Sequence, residues 1–138
     1  NAYRSLTDFK FYMNDVGLCC ASQDIHFDDI QRDNALLTNF KGGLTENYVF
    51  NQLTASGLPL YYWTSGNQAE IDFISRLNDI IPIEVKSSAN TRSRSLSVYT
   101  NKYSPKYALR LSLKNFGFEN GIKSVPLYAV FCITGMTK

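Results

Sequence analysis

The chain has 138 residues, of which 44% are hydrophobic and 14% aromatic, and its formal net charge is +2. This composition fits one globular domain and excludes disordered, collagen-like and coiled-coil proteins. No apolar run approaches the roughly 18 residues of a membrane span. The three cysteines lack the spacing of a disulfide framework or a zinc site, so we expect reduced thiols in a cytoplasmic protein.

The N-terminal region predicts little regular structure. Asn1-Ala2 has the character of a remnant of tag cleavage, so we expect a fragment of a longer protein with a single domain over 3–138. Segment 3–40 would lead into a core over 41–133. Within it, the sequence predicts a short apolar segment over 8–18 with a turn at Asn14, Asp15 and Gly17, and then a loop entering a short helix over 21–34.

The core predicts an alternation of helices and strands. A helix over 41–56 is followed by the stop signals Gly57 and Pro59. A second helix is expected from about 95 to 103. The apolar segment 125–133 fits a strand or a helix. The expected strands cover 60–65, 69–75, 80–86 and 107–113. This order predicts an α/β or α+β domain with a mixed sheet, because the last strand returns through a helix.

Side chains alternate between the two faces of a strand, which divides the second and third strands into polar and apolar faces. A turn centred on Asn78 would place the apolar faces together, whereas a two-residue turn would scramble both faces. The expected polar face carries Glu70, Asp72, Glu84 and Lys86, and the expected apolar face carries Ile71, Phe73, Ile81, Ile83 and Val85.

In the register centred on Asn78, Asp72 lies opposite Glu84, and Glu70 lies opposite Lys86. Opposed carboxylates on neighbouring strands repel each other and destabilise the sheet. A divalent cation such as Mg²⁺, which prefers carboxylate oxygens, would offset that repulsion. The alternative is an exposed hairpin face on which lysine and arginine side chains balance the acids, and periodicity leaves both interpretations open.

Glu46 adds a third carboxylate on the first core helix. At helical spacing it forms a stripe with Val49, Phe50 and Leu53, so its side chain is expected to face inward. A lone inward glutamate is unfavourable unless it is paired or binds a metal. The alternative is a boundary glutamate near the start of its helix, where the helix dipole favours negative charge.

Charge is distributed unevenly along the chain. Residues 1–69 hold four basic and seven acidic side chains, whereas residues 70–138 hold ten basic and five acidic ones. Between Lys86 and Lys114 there are seven basic residues and no acidic one. Such a stretch can contact nucleic acid phosphates, and the alternative is a solvated basic face. The candidate nucleic-acid contacts are Arg92, Arg94, Lys102 and Lys106.

Asp72, followed by Glu84-Val85-Lys86 on the next strand and preceded by Glu46 on a helix, resembles the PD-(D/E)xK nuclease superfamily. Its restriction endonucleases and junction resolvases share an αβββαβ core. A more specific resemblance covers most of the chain and is to the uncharacterised C-terminal domain of many bacterial AAA+-type ATPases. The segments that carry it are KGGLTENYVFNQL, YYWTSGNQAEIDFI, IPIEVKSSAN, SLSVYTNKYSPKYALRLSLKNF and VPLYAVF.

The resemblance implies a role for each matching residue. Asp72 and Glu84 would bind Mg²⁺ or Mn²⁺ together with the backbone carbonyl of Val85. Lys86 would orient or deprotonate the attacking water and stabilise the developing negative charge. The remaining side chains would be Glu46, near the metal or one of its waters, and Glu70 and Gln68, which would support the metal ligands.

Three functions are therefore considered. The first, which we favour, is a Mg²⁺-dependent DNA phosphodiesterase domain attached to an AAA+-type ATPase. The second is a DNA-binding module of that ATPase without catalytic activity. The third is a protein-interaction or oligomerisation module with a nuclease-like fold. The expected partners are DNA and the ATPase region of the same protein, with no membrane and no nucleotide bound to this domain.

Overall fold

A computed structural model describes residues 9–31, 37–66, 68–88 and 94–137 of the chain. The helices are α1 (Val16–Ser22), α2 (Phe27–Gln31), α3 (Thr38–Ala55), α4 (Arg94–Tyr103) and a 3-10 helix (Leu127–Thr137). The strands are β1 (Tyr61–Thr64), β2 (Glu70–Leu77), β3 (Asp79–Val85), β4 (Ala108–Ser112), β5 (Gly117–Glu119) and β6 (Ile122–Pro126).

The six strands form one mixed sheet in the order β1-β2-β3-β4-β6-β5. The first three strands are an antiparallel meander, and β4 returns parallel to β3 after the α4 crossover. Strand β6 lies parallel to β4 and forms a hairpin with β5. The predicted mixed sheet flanked by helices is confirmed. The segment 125–133, undecided from the sequence, is the end of β6 and most of the 3-10 helix.

Helix α3 begins three residues before the predicted start and ends at the predicted stop signal. Gly57 has φ 76°, a left-handed conformation that glycine adopts without steric strain. This turn lets the N–H of Leu58 bond to the carbonyl of Leu53 at 3.1 Å, which satisfies an end carbonyl of the helix. Val49 and Leu53, on the predicted inward stripe, have no exposed surface.

The predicted turn at Asn14, Asp15 and Gly17 is wrong in its second half. Asp15 is the N-cap of α1, and its side chain accepts a hydrogen bond from the N–H of Leu18 at 3.0 Å. Aspartate favours this position because it satisfies an N–H that has no partner inside the helix. The chain therefore continues through Gly17 as helix.

The sheet separates two apolar clusters. The larger one lies against α3 and the 3-10 helix, and the smaller one lies against α4. Ala108 and Leu109, neighbours on β4, belong to different clusters because adjacent strand residues point to opposite faces. The buried core of the α4 side consists of Ile71, Leu96, Tyr99 and Ala108.

The β2–β3 hairpin has the predicted register. Leu77 pairs with Asp79, and the ladder continues to the pair Phe73 and Ile83, so the turn is centred on Asn78. Asn78 has φ 63°, in the left-handed region that asparagine tolerates better than most residues. A turn residue with this conformation therefore sets the alignment of both strands.

The predicted strand faces are wrong in two respects. The expected polar face is divided, since Glu70 contacts Lys10 on the α3 side whereas Glu84 contacts Lys86 and Arg110 on the α4 side.

The expected apolar face is divided as well. Ile71 and Phe73 were expected on the same face, but Ile71 packs on the α4 side and Phe73 on the α3 side. The pairing of β1 with β2 explains this, since Tyr61 pairs with Ile74 whereas Trp63 pairs with Ile71. Strand β2 thus holds one extra residue at this point, and such a bulge interrupts the alternation of side chains.

The state of the cysteines and the character of the helices can be compared with the expectations from composition. Cys19, Cys20 and Cys132 are free thiols. Among the helices in the described ranges, none is both long and apolar enough to cross a membrane.

The hairpin turn gives a testable prediction. Asn78→Val should lower the free energy of unfolding by about 1–2 kcal/mol, because a β-branched residue is strained at positive φ. Asn78→Gly should be close to neutral. Urea denaturation of both variants and the wild-type protein measures the difference. Equal stability of the valine and glycine variants would contradict the proposed importance of this turn conformation.

Candidate functional site

The Asp72 side chain lies at the end of the β2–β3 ladder. Its Oδ2 atom accepts a hydrogen bond from the backbone N–H of Val85 at 2.7 Å. The last paired residues of the β2–β3 ladder are Phe73 and Ile83. Beyond this pair, the Asp72 carboxylate is the acceptor for the backbone N–H of Val85. The bulge in β2 therefore holds Asp72 between the two strands.

Burial raises the pKa of Asp72 from its ordinary value of 3.8 to about 6. The hydrogen bond from Val85 opposes this rise, whereas the negative charges of Glu46 and Glu84 add to it. The positive charge of Lys10 lowers the pKa. Asp72 is thus a partly buried carboxylate with negative neighbours on two other elements, α3 and β3. Such an arrangement is typical of functional sites and also of structural ion networks.

Glu46 faces inward, as its stripe on α3 predicts. Its side chain is 23% exposed. Its Oε1 atom accepts hydrogen bonds from the Tyr12 hydroxyl at 2.5 Å and from the Lys10 ammonium at 2.9 Å. The cost of burying a glutamate is therefore offset by two donors from the segment that precedes α1.

Lys10 joins the carboxylates of two elements. Its ammonium group forms ion pairs with Glu46 on α3 and with Glu70 on β2. Burial disfavours the charged form, but the hydrogen bonds to Glu70 and Glu46 prevail and raise the pKa of Lys10. The lysine consequently supplies a fixed positive charge beside Asp72.

The segment that carries Lys10 and Tyr12 is fastened to α3 by a buried amide. Asn47 accepts a hydrogen bond from the N–H of Met13 at 2.7 Å and donates one to the carbonyl of Met13 at 2.9 Å. The ring of Tyr12 stacks on Phe50 with a centroid separation of 4.2 Å. These contacts orient Tyr12 and Lys10 toward Glu46.

Glu84 occupies the α4 side of the sheet with two cations. Its side chain is 3% exposed, and its Oε1 atom lies 3.2 Å from the Lys86 ammonium. Its Oε2 atom lies 3.7 Å from Nε of Arg110, which is next to Glu84 in the parallel register of β3 and β4. The N–H of Lys86 bonds to the carbonyl of Leu111 at 2.8 Å, so Lys86 is anchored to β4 directly after β3 ends.

The predicted site residues occupy several environments. Glu46, Asp72 and Glu84 are close enough for both glutamates to raise the pKa of Asp72. Val85 contributes its N–H to Asp72, Lys86 contacts Glu84, and Glu70 contacts Lys10. Gln68 is exposed.

One of the four expected nucleic-acid contacts, Arg92, lies outside the described residues. Of the other expected nucleic-acid contacts, Arg94 and Lys106 are exposed, and Lys102 lies over the rings of Trp63 and Tyr103.

Three residues of the site were not predicted from the sequence, namely Lys10, Tyr12 and Arg110. Lys10 and Tyr12 lie 36 and 34 residues before their partner Glu46. A lysine within an apolar segment was the available local signal. Arg110 is flanked by Leu109 and Leu111 on a buried strand, a position at which a charged residue needs a partner. That partner is identified by the pairing of β4 with β3.

The side chains around Asp72 meet some of the needs of a divalent cation. Within the part of the chain that the structure describes, no group of three or more His, Cys, Asp or Glu side chains has metal-binding geometry. The carboxylate oxygens of Asp72, Glu46 and Glu84 are nonetheless the ligand type that Mg²⁺ prefers. The carboxylate of Asp72, whose pKa is raised by partial burial, is also the group that a nearby cation would stabilise. These residues fit a metal by donor type and charge.

Comparison with known proteins gives a family match. Residues 41–130, from α3 to the 3-10 helix, match a family model described as a domain of unknown function, DUF4143. The matched segment contains Glu46, Asp72, Glu84 and Lys86. No curated protein and no solved structure matches the chain.

The raised pKa of Asp72 predicts a pH-dependent effect of its substitution. In EDTA at pH 7, Asp72→Asn should raise the free energy of unfolding by about 2 kcal/mol, because a partly buried negative charge is removed. The ionised wild-type carboxylate becomes increasingly unfavourable as pH rises from 3.8 toward 6. The difference should therefore shrink toward zero when the pH is lowered to about 3.5. Urea denaturation at several pH values measures it, and a difference that is constant with pH would contradict the assignment.

The Lys10 ion pairs predict a loss of stability when the ammonium is removed. Lys10→Met should lower the free energy of unfolding by about 1–2 kcal/mol, because it leaves two carboxylates without their cation. The loss should be smaller in a Glu46→Gln background. A double-mutant cycle by urea denaturation measures this coupling. Additive effects of the two substitutions would show that the pair contributes nothing to stability.

Proposed function

The chain belongs to the DUF4143 family, and from the site in its matched segment we propose that this domain is a metal-dependent phosphodiesterase of the PD-(D/E)xK type that acts on DNA. The observation that carries the proposal is the environment of Asp72. A partly buried carboxylate near the start of β2, close to Glu46 and Glu84, stands beside β3, which is followed directly by Lys86. This combination is unfavourable for stability alone and is useful for catalysis.

Asp72 and Glu84 are the proposed metal ligands, with the backbone carbonyl of Val85 completing the protein set. When bound, Mg²⁺ or Mn²⁺ would lower the pKa of a water molecule and neutralise charge on the phosphate oxygens. Glu46 is the proposed support on the α3 side, and the hydroxyl of Tyr12 orients its carboxylate.

Lys86 is the proposed group that acts on the attacking water and the developing negative charge. Its contact with Glu84 at 3.2 Å restrains the ammonium, and its side chain is 34% exposed. It therefore combines a defined position with access from solvent. Arg110, on the other side of Glu84, adds a second cation that holds the carboxylate in place.

A second function, DNA binding without cleavage, is favoured by a different observation. Lys10 already balances Glu46 and Glu70, and Lys86 and Arg110 already balance Glu84. A site whose carboxylates are neutralised by the protein's own cations is stable without a metal. In that case the basic second half of the chain would bind DNA phosphates and the acidic cluster would be structural.

The proposal predicts the outcome of substituting the lysine. Lys86→Ala should abolish cleavage of DNA in Mg²⁺ or Mn²⁺, because no other group acts on the water, and it should retain Mn²⁺ binding. Asp72→Asn should lose both cleavage and Mn²⁺ binding. Cleavage is measured on branched, single-stranded and duplex DNA, and binding is measured by calorimetric titration.

Two further variants control for side effects. Lys86→Arg preserves a positive charge beside buried Glu84 but cannot accept a proton, so it should fold normally and remain inactive. Arg76→Ala removes an exposed cation near the β2–β3 turn, away from the site, and should retain activity. Wild-type protein that binds no Mn²⁺ and cuts none of the substrates would refute the catalytic function, and DNA binding without cleavage would then be the better explanation.

A further inference from the structure

An open groove lies on the α4 side of the sheet, between the start of α4 and the strands β4, β5 and β6. It has a volume of about 880 Å³. Its basic side chains are Arg94 on α4, Arg110 on β4 and Lys114 just after β4. The groove adjoins the candidate site, because Arg110 is also the partner of Glu84.

The charge of the groove favours an anion. Among the residues that the structure describes, three cationic side chains line the groove against one carboxylate, Glu119. Arg94 and Lys114 are exposed, whereas the Arg110 side chain is 16% exposed and is held from beneath by Glu84. A partly buried guanidinium beside two exposed cations suits phosphate oxygens, which accept charge-assisted hydrogen bonds. The separation of the three cations over three segments suits a chain of phosphates better than a single one.

The groove also presents an aromatic ring. Phe118 lines it from the edge strand β5 and is 67% exposed. An exposed ring beside cations can stack on a nucleic acid base, and every base offers a suitable face. Bases are free to stack on a protein ring in a single strand, whereas those of a duplex are stacked on each other. An exposed ring at this place therefore suits an unpaired strand better than a duplex.

We propose that this groove binds a single-stranded segment of nucleic acid, with phosphates on Arg94, Arg110 and Lys114 and a base on Phe118. The inference rests on the proposed function in taking nucleic acid as the substrate. A strand in the groove reaches the candidate site through Arg110, whose Nε lies beside Glu84. Lys102 and Lys106, expected from the sequence to contact nucleic acid, are not part of the groove lining.

The test uses fluorescence anisotropy in EDTA with a labelled twelve-nucleotide thymidine oligomer and a duplex hairpin of similar length. Arg94→Gln combined with Lys114→Gln should weaken single-strand binding at least about 10-fold. The slope of log K against log salt should become shallower by about 1.4, or roughly 0.7 for each phosphate that is no longer neutralised. Phe118→Ala should weaken binding of the oligomer about 5- to 100-fold and leave the hairpin unchanged, because the stacking ring is removed.

Matched controls remove the same groups elsewhere. Lys102→Gln with Lys106→Gln removes two charges outside the groove, and Phe131→Ala removes a ring that is 60% exposed on the 3-10 helix. Each control should change the affinity less than 2-fold. Thermal melts verify that all variants fold.

Several results would overturn the groove assignment. The wild-type protein could fail to bind the oligomer, or the groove variants and the controls could lose the same amount of affinity. Phe118→Ala could also bind the oligomer as tightly as the wild-type protein does. Finally, inorganic tripolyphosphate could compete as strongly as unlabelled oligomer. The absence of metal separates this test from catalysis. If the protein binds the oligomer through the groove but never cleaves DNA, the phosphodiesterase function is refuted and the groove assignment is retained. If the protein cleaves DNA and the groove variants do not change that cleavage, the groove assignment is refuted and the phosphodiesterase function is retained.

Discussion

The hydrogen bond from the N–H of Val85 to the carboxylate of Asp72 joins the two constraints that shape this domain. The turn at Asn78 aligns β2 with β3, and the bulge in β2 ends that alignment at Asp72. Because the carboxylate replaces a backbone acceptor, it remains between the strands instead of turning into solvent. Its burial, its raised pKa and its closeness to Glu46 follow from this position.

Ion pairs balance the carboxylates of the candidate site on both faces of the sheet. On the α3 side, Lys10 connects Glu46 with Glu70, and on the α4 side, Lys86 and its neighbour on β4 hold Glu84. Asp72 lies between these networks, and its main partner is a backbone N–H. A carboxylate held in this way is the one whose charge an added cation would stabilise most. The arrangement therefore accommodates both a metal site and a stable metal-free fold.

The basic groove and the acidic cluster meet at one residue. Arg110 lines the groove and also contacts Glu84, so phosphate binding on one side and carboxylate placement on the other involve the same guanidinium. This connection arises from the parallel pairing of β3 with β4, which aligns the two residues. The fold thus places cations of the basic second half of the chain next to carboxylates at one end of the sheet.

Local pattern was sufficient for much of this protein. Helical spacing identified the inward stripe of α3 that includes Glu46, and strand alternation with a turn signal identified the register around Asn78. The bulge at Asp72, the approach of Lys10 and the pairing of Arg110 were decided by the tertiary structure. These contacts join elements that are distant along the chain, so they depend on how helices and strands pack into one core, whereas periodicity reports only which face of an element is apolar.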